Sequence, residues 1–192
     1  MSLEKKILFI GVPALAIVLG AIFYFLGNAA PANPNSAKGT SGAGSAREYV
    51  NSDFKIVLRY PASWQPVAGR DGFNHVPLYF KGDGGFFGID AIGTDTSGKV
   101  SIDDVVKSLI SASGNPYGTN PTVTTPDAGN FKARVVTASN DQPLPNDKTG
   151  AAALIVQYLK PVKIGADTFS FFMLYGDRAH LPDIAGTLQV ML

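Results

Sequence analysis

The chain has 192 residues, and its 16 Lys and Arg residues nearly balance its 15 Asp and Glu residues, which gives a formal net charge of +1. This balance excludes a strongly basic nucleic-acid binder, because such a domain carries a clear positive excess. The chain contains no cysteine, which excludes disulfides, thiolate metal sites, thiol nucleophiles and a cysteine-linked lipid anchor.

The first feature along the chain is an apolar run at residues 7–26, which contains no charged residue. A hydrocarbon core of about 30 Å needs about 20 apolar residues in a helix, so the run predicts a single transmembrane anchor. Lys5 and Lys6 precede the run, and no Lys or Arg follows it until Lys38. The positive-inside bias therefore predicts a cytoplasmic tail at residues 1–6 and export of the rest of the chain.

A cleaved signal peptide is the main alternative interpretation of this run, and a buried helix of a soluble domain is the remaining one. It requires an A-x-A cleavage site, and Ala30-Pro31-Ala32 has that form. Cleavable apolar segments are about 7–15 residues long, and this run is longer, so we favour a retained anchor. The retained anchor and the signal peptide both export the C-terminal part, and the expected location is the cell membrane with an extracytoplasmic domain.

Residues 27–47 separate the apolar run from the rest of the chain. They are dominated by Gly, Ala, Ser, Asn and Pro and include no large apolar residue. Such a segment cannot bury enough surface to offset its ordering entropy, which predicts a flexible linker. Its r.m.s. span as a coil is roughly 25 Å. Residues 48–192 then form one extracytoplasmic domain of ordinary size.

Alternating hydrophobicity predicts the strands of this domain. Residues 54–60 alternate apolar and polar positions, as in a half-buried strand. The cluster at residues 82–85 supplies the positive φ angles that a tight hairpin needs. Further strands are predicted at residues 78–81, 86–92, 131–137, 151–160 and 167–175. Both faces of the last strand are apolar, which predicts a central position in the sheet.

Two helices are predicted. Residues 101–113 carry one apolar stripe at helical spacing, Ser101 is a suitable N-cap, and Asp104 stands at the acidic position of a capping box. A final helix is predicted after Asp177, and residues 188–192 close the chain as a helix end or a short strand. About six strands with at least two helices, joined mostly by hairpins, predict an α+β domain built on an antiparallel sheet.

One short motif resembles a known family. Residues Phe54, Ile56, Tyr60, Pro61 and Trp64 are similar to the opening signature of the PsbP/Mog1-like families, in which a first strand ends in Tyr-Pro and a Trp follows. The resemblance would extend over residues 48–192. It implies an α/β/α sandwich around an antiparallel sheet, and mostly non-enzymatic binding or accessory roles. These five positions are expected to be core and turn residues.

No arrangement of residues indicates catalysis. The chain has two histidines, His75 and His180, and lacks a G-x-S-x-G nucleophile motif. Asp103 and Asp104 are explained by their position at a helix start, where acidic residues complement the helix dipole. The glycine-rich residues 82–88 lack the spacing of a phosphate-binding loop, so a hairpin is expected there.

No metal or cofactor site is expected. Zinc needs three or four converging ligands, and the two histidines are far apart in sequence. The carboxylates miss the spacing of a calcium loop. The residues considered were Asp83, Asp90, Asp95, Asp141, Asn146, Asp147 and Gly150. Trp64 and the stripe formed by Phe169, Phe171 and Tyr175 are expected in the core, not in a ligand cleft.

The sequence therefore predicts a non-enzymatic, membrane-tethered, extracytoplasmic binding module with an envelope protein as its partner. The first alternative is a permanent small subunit or assembly factor of a membrane complex. The second is an enzyme, such as a hydrolase, with an unrecognised site around His75 or His180.

Overall fold

The computed structural model describes residues 46–92, 99–128, 131–141 and 151–191. The tail and the anchor predicted at residues 1–6 and 7–26 lie outside the described residues, as does the linker up to residue 45. Within the described ranges, no helix is both long and apolar enough to cross a membrane.

The described residues form ten strands and two α-helices. The strands are β1 (Ala46–Asn51), β2 (Ile56–Pro61), β3 (Gln65–Pro66), β4 (Tyr79–Gly82), β5 (Gly85–Ile92), β6 (Thr122–Thr124), β7 (Lys132–Thr137), β8 (Ala151–Ile164), β9 (Asp167–Asp177) and β10 (Gln189–Val190). The helices are α1 (Ile102–Ile110) and α2 (Leu181–Gly186), and a single 3-10 turn spans Phe73–His75.

The strands form two antiparallel sheets. The larger has seven strands in the order β3-β4-β5-β9-β8-β7-β6, and the smaller has the order β1-β2-β10. β9 lies in the middle of the larger sheet. Phe172 and Leu174 are buried on what we call its first face, and Phe171 and Met173 on its second face. This confirms the central position predicted from the two apolar faces.

The first face of the larger sheet is covered by the smaller sheet and by α2. The core between them is rich in aromatic rings. Phe80 and Phe87 stack with centroids 4.7 Å apart, and Tyr60 packs 4.8 Å from Phe80. Aromatic pairs of this kind contribute beyond the area that they bury. Two sheets therefore enclose the main core, with α2 beside them.

The second face is covered by α1, which packs on β7 and β8. The predicted capping box is present: the Ser101 side chain accepts a hydrogen bond from Asp104 N–H, and Asp104 accepts one from Ser101 N–H. Asp103 forms a salt bridge with Arg134 of β7 at 2.8 Å. α1 ends at Ile110, before the predicted residue 113, because residues 112–115 form a turn with Gly114 at φ +86°.

The fold is thus a mostly antiparallel α+β structure with few helices, and it differs from a simple helix–sheet–helix sandwich. One face carries a helix, but the other is covered mainly by a second sheet. β1, β3 and β6 are strands that the sequence pattern did not indicate. Ala46 and Arg47 pair with Pro61 and Tyr60, so they belong to β1, although the linker was expected to continue through residue 47.

Two further boundaries have local causes. The second strand begins at Ile56, not at Phe54, because the Asn51 carboxamide accepts hydrogen bonds from Asp53 and Phe54 N–H and holds a turn there. β8 continues through Pro161 to Ile164, where a connection was expected. Its register shifts between Gln157 and Val162, and such a bulge is where a strand tolerates proline.

Candidate functional site

The five residues of the motif at positions 54–64 contribute to the core and to one turn. Phe54, Ile56, Tyr60 and Trp64 are buried in the first-face core. The Pro61 carbonyl accepts a hydrogen bond from Trp64 N–H at 3.0 Å, and this turn directs the indole into the core.

Glycines make room for large rings beside this motif. A Cβ atom at Gly82 would lie 2.2 Å from Trp64 Cδ1, and one at Gly85 would lie 2.5 Å from Trp64 Cζ2. A Cβ atom at Gly88 would lie 2.2 Å from Tyr175 Cζ on the second face. Residues 82–88 form the β4–β5 hairpin as predicted, and their glycines are explained by these close approaches.

Asp177 and His180 form a polar pair at the same end of the molecule, beside Trp64. Asp177 Oδ1 lies 2.7 Å from His180 Nδ1 and also accepts hydrogen bonds from Ala179 and His180 N–H. Asp177 Oδ2 accepts a hydrogen bond from Phe86 N–H at 3.0 Å. The His180 ring meets Trp64 edge-on, with centroids 5.1 Å apart. We call Trp64, Gly85, Asp177 and His180 the Trp64 end.

The hydrogen bonds of Asp177 favour its ionised form. Burial alone would raise the pKa of this carboxyl, but the hydrogen bonds from Phe86 N–H and from His180 outweigh burial, and the pKa is lowered. The carboxylate thereby joins the end of β9 to the β4–β5 hairpin and to the start of α2.

An aspartate that orients a histidine is also part of catalytic triads. Catalysis of that type requires a nucleophile next to the other ring nitrogen. The contacts described for the His180 ring are with the Asp177 carboxylate and with Trp64, and that carboxylate also accepts hydrogen bonds from the N–H groups of Phe86, Ala179 and His180. The arrangement therefore supports a structural role for Asp177 and His180 more directly than a catalytic one.

The other residues considered for chemistry are dispersed. His75 is exposed in the loop that follows Phe73, and no described contact brings it to His180. Asp103 and Asp104 serve the start of α1, as described above. Asp90 lies on the second face, near Tyr117 and Tyr175. Burial of these two tyrosines is the main cause of their raised pKa, and the negative charge of Asp90 raises the pKa of both further.

Asp141 is held by a small exposed network. It accepts hydrogen bonds from the Ser139 and Thr119 hydroxyls and from Thr119 N–H. These bonds, with Ser139 first, lower the pKa of Asp141 to about 2. Asp95, Asn146, Asp147 and Gly150 lie outside the described residues. Within the ranges that the structure describes, no three His, Cys, Asp or Glu side chains are grouped so that they could hold a metal ion.

A more exposed feature is the loop that contains Phe73, at the end of the molecule opposite Trp64. Phe73 is 54% exposed, and its ring lies against Gly165 of the β8–β9 turn. Asn74 Nδ2 donates to the Asp53 carboxylate at 3.3 Å, and Tyr49 OH donates to Pro77 O at 2.7 Å. We call residues 72–77 the Phe73 loop. Its contacts hold a large apolar ring in a defined, solvent-facing position.

The sheet edges are the second exposed feature. β3 has two residues, one of them Pro66, and β6 has three residues, with Pro121 before it and Pro126 after it. Short edge strands and prolines prevent pairing with other chains. β1 is different, because it is six residues long and contains no proline.

The backbone of β1 has unused hydrogen-bonding groups. Met191 N–H donates to Lys55 O, just before β2, and Arg59 N–H donates to the Thr187 hydroxyl. The backbone N–H and C=O groups of alternate residues along this strand therefore point away from β1. β1 therefore bonds to β2 through residues 47, 49 and 51. The N–H and C=O groups of Ala46, Glu48 and Val50 point outward, and nothing in the described part of the chain bonds to them. We call this side of β1 the open edge.

Sequence comparison assigns no family, since no family model and no curated protein matches this chain. Among solved structures, the chain is similar to the solution structure of cyanobacterial PsbP (CyanoP) from Synechocystis sp. PCC 6803. The identity is 14% and the TM-score is 0.44, over 82% of this chain and 99% of that chain. The neighbour carries the PsbP name that the motif at residues 54–64 suggested.

Proposed function

We propose that this chain is a non-enzymatic binding module, tethered to a membrane by residues 7–26, whose Phe73 loop contacts an envelope protein. The apolar run and Lys5 and Lys6 support the tether and the extracytoplasmic placement of the domain. The resemblance of residues 54–64 to the PsbP/Mog1-like families supports an accessory or binding role.

The exposed Phe73 ring carries the proposal. Aromatic side chains are enriched among the few residues that dominate the affinity of protein interfaces. An exposed ring loses less conformational entropy on binding if its loop is already held in place. The bonds from Asn74 to Asp53 and from Tyr49 to Pro77 hold this loop, and Gly165 supports the ring.

The position of the loop suits a tethered domain. The chain enters the domain at Ala46, which pairs with Pro61 near Trp64. The Phe73 loop contacts Asp53, which lies beyond the other end of β1. The tether and the proposed contact surface are therefore at opposite ends of the domain, and the ring faces away from the attachment point.

The test is site-specific photo-crosslinking in native membranes with the full chain. A photoreactive phenylalanine analogue replaces Phe73 in one variant and Val123, an exposed residue of β6, in the control. We expect a crosslink to one discrete envelope protein from position 73 and none from position 123.

The outcomes separate the proposed role from its alternatives. No crosslink from position 73, or the same diffuse products from both positions, contradicts the proposal. A crosslinked species that stays in one large complex through detergent extraction and sizing supports the alternative of a permanent small subunit or assembly factor.

A further inference from the structure

Of the four sheet edges in the described part of the chain, three are protected against pairing. β3, β6 and β10 have two, three and two residues, and proline lies in or beside two of them. β1 has six residues, and its outward backbone groups are unused within the described ranges. An unprotected edge of this length can accept a further strand.

We propose that the open edge of β1 pairs with the same edge of a second copy of this chain. The two strands would run antiparallel about a two-fold axis and join two three-stranded sheets into one of six strands. Isologous pairing of this kind presents the same surface from both copies and closes at a dimer. The inference concerns a surface distinct from the Phe73 loop and goes beyond the proposed function.

Charge and the length of the paired ladder together select one register for this pairing. Residues whose backbone N–H and C=O groups point outward must lie opposite such residues of the second copy. The two-fold axis therefore passes through the same residue of both strands. An axis at Arg47 or at Glu48 places two like charges directly opposite each other, which is destabilising. An axis at Tyr49 places Glu48 opposite Val50 of the second copy and Arg47 opposite its Asn51, so no like charges face each other. Axes at Ala46 and Val50 also avoid like charges, but they pair only one and three residues of β1, against five for an axis at Tyr49.

The apolar character of the edge agrees with this register. Val50 is 53% exposed in the single chain, and its neighbour in the dimer is the aliphatic part of Glu48 from the second copy. Ala46 and Glu48 share the solvent side of β1 with Val50. The pairing therefore covers one of the few large hydrophobic side chains that the described surface leaves exposed.

The first experiment locates the contact. The chain has no cysteine, so Val50→Cys and Val123→Cys each introduce one thiol into the full chain, reconstituted in lipid vesicles. Both positions are exposed valines on edge strands. With a short bismaleimide, we expect a covalent dimer from Val50→Cys and loss of that product in Val123→Cys.

The second experiment tests the register by sedimentation of the full chain in detergent micelles. Val50→Glu faces Glu48 of the second copy with a like charge, whereas Val50→Lys faces it with an opposite charge. We expect loss of the dimer in Val50→Glu and its retention in Val50→Lys. Val50→Pro removes an N–H group that the fold does not use but the dimer does, so it should also abolish the dimer without unfolding the domain.

A monomer at every concentration, or a dimer weakened equally by Val50→Glu and Val50→Lys, overturns the proposal. A Val50→Cys crosslink to a different protein in native membranes also overturns self-pairing, yet leaves the proposed function standing. Failure of the Phe73 crosslink with an intact Val50 dimer overturns only the proposed function.

Discussion

The Trp64 end and the open edge of β1 differ in how their polar groups are used. At the Trp64 end, both Asp177 oxygens accept hydrogen bonds, and His180 bonds to that carboxylate. At the open edge, the backbone groups of Glu48 and Val50 have no partner among the described residues. The polar groups left for bonding to another molecule are thus backbone groups of β1, whose residue types give no sign of a function.

Residue types that often carry chemistry are a poor guide to the interaction surface of this domain. A histidine next to an aspartate attracts a catalytic interpretation, but here the pair joins β9, α2 and the β4–β5 hairpin. Unpaired main-chain groups cannot be recognised from residue types, because nearly every residue carries the same N–H and C=O groups. Both are strong hydrogen-bonding groups, and only proline lacks the N–H. Four measurements test this difference between the Trp64 end and the open edge.

Removal of the indole should have the largest effect. Trp64→Ala should lower the free energy of unfolding by about 3–5 kcal/mol, because it leaves a cavity in a packed core. Urea denaturation of each variant and of the wild type measures the loss. Phe73→Ala removes an exposed ring and serves as the control, with a much smaller change. Equal losses in the two variants would contradict the core role of Trp64.

Removal of the Asp177 carboxylate should have the second largest effect. Asp177→Ala should cost about 1–3 kcal/mol of unfolding free energy, because Phe86 N–H and the start of α2 lose their acceptor. Asp167→Ala removes an exposed carboxylate at the start of β9 and is the matched control. If Asp177→Ala is as stable as Asp167→Ala, the hydrogen bonds at the Trp64 end contribute nothing.

Acid should weaken the contacts of Asp141. Its folded pKa of about 2 is depressed by the Ser139 and Thr119 bonds, and an unfolded aspartate titrates near pH 3.9. The stabilisation is therefore complete above about pH 4 and is lost as the pH falls toward 2. We expect the stability difference between wild type and Asp141→Asn to shrink over this interval, as measured by urea denaturation at each pH. A difference that is constant with pH would contradict the assignment.

Substitution at the open edge should have the smallest effect on folding. Val50→Glu changes an exposed side chain, so the free energy of unfolding of the monomeric domain should change by less than about 0.5 kcal/mol. The measurement is urea denaturation at low protein concentration. A large loss would mean that Val50 serves the fold, and its effect on dimerisation could then not be attributed to the edge.

Much of the fold could be predicted from the sequence where periodicity was strong. β5, β8, β9 and α1 carry apolar residues at clear strand or helix spacing. β1 was missed because Tyr49 and Val50 are adjacent, so the strand shows no clean alternation and merges with the polar linker. β6 lies among prolines and threonines with all three residues exposed, and no apolar pattern marks it.

The functional features were less predictable, for a physical reason. His180 was visible as one of two histidines, but the role of Asp177 depends on Phe86, which lies 91 residues away. The glycines at 82, 85 and 88 were interpreted as a turn, whereas their contacts with Trp64 and Tyr175 depend on sheet register. An open edge is a property of strand order, which a single sequence does not encode locally.

The attachment of residues 1–45 to β1 also has a mechanical consequence. Any tension applied through the N-terminal segment reaches the domain at Ala46 and loads the β1–β2 hydrogen bonds first. Tension along the strand strains these bonds together, and sideways tension opens them one pair at a time from Arg47. The far end is the strongest, because Asn51 is buried and bonds to Tyr49, Asp53 and Phe54. The strand whose outward backbone groups are unused is therefore also the first strand of the domain that such tension loads.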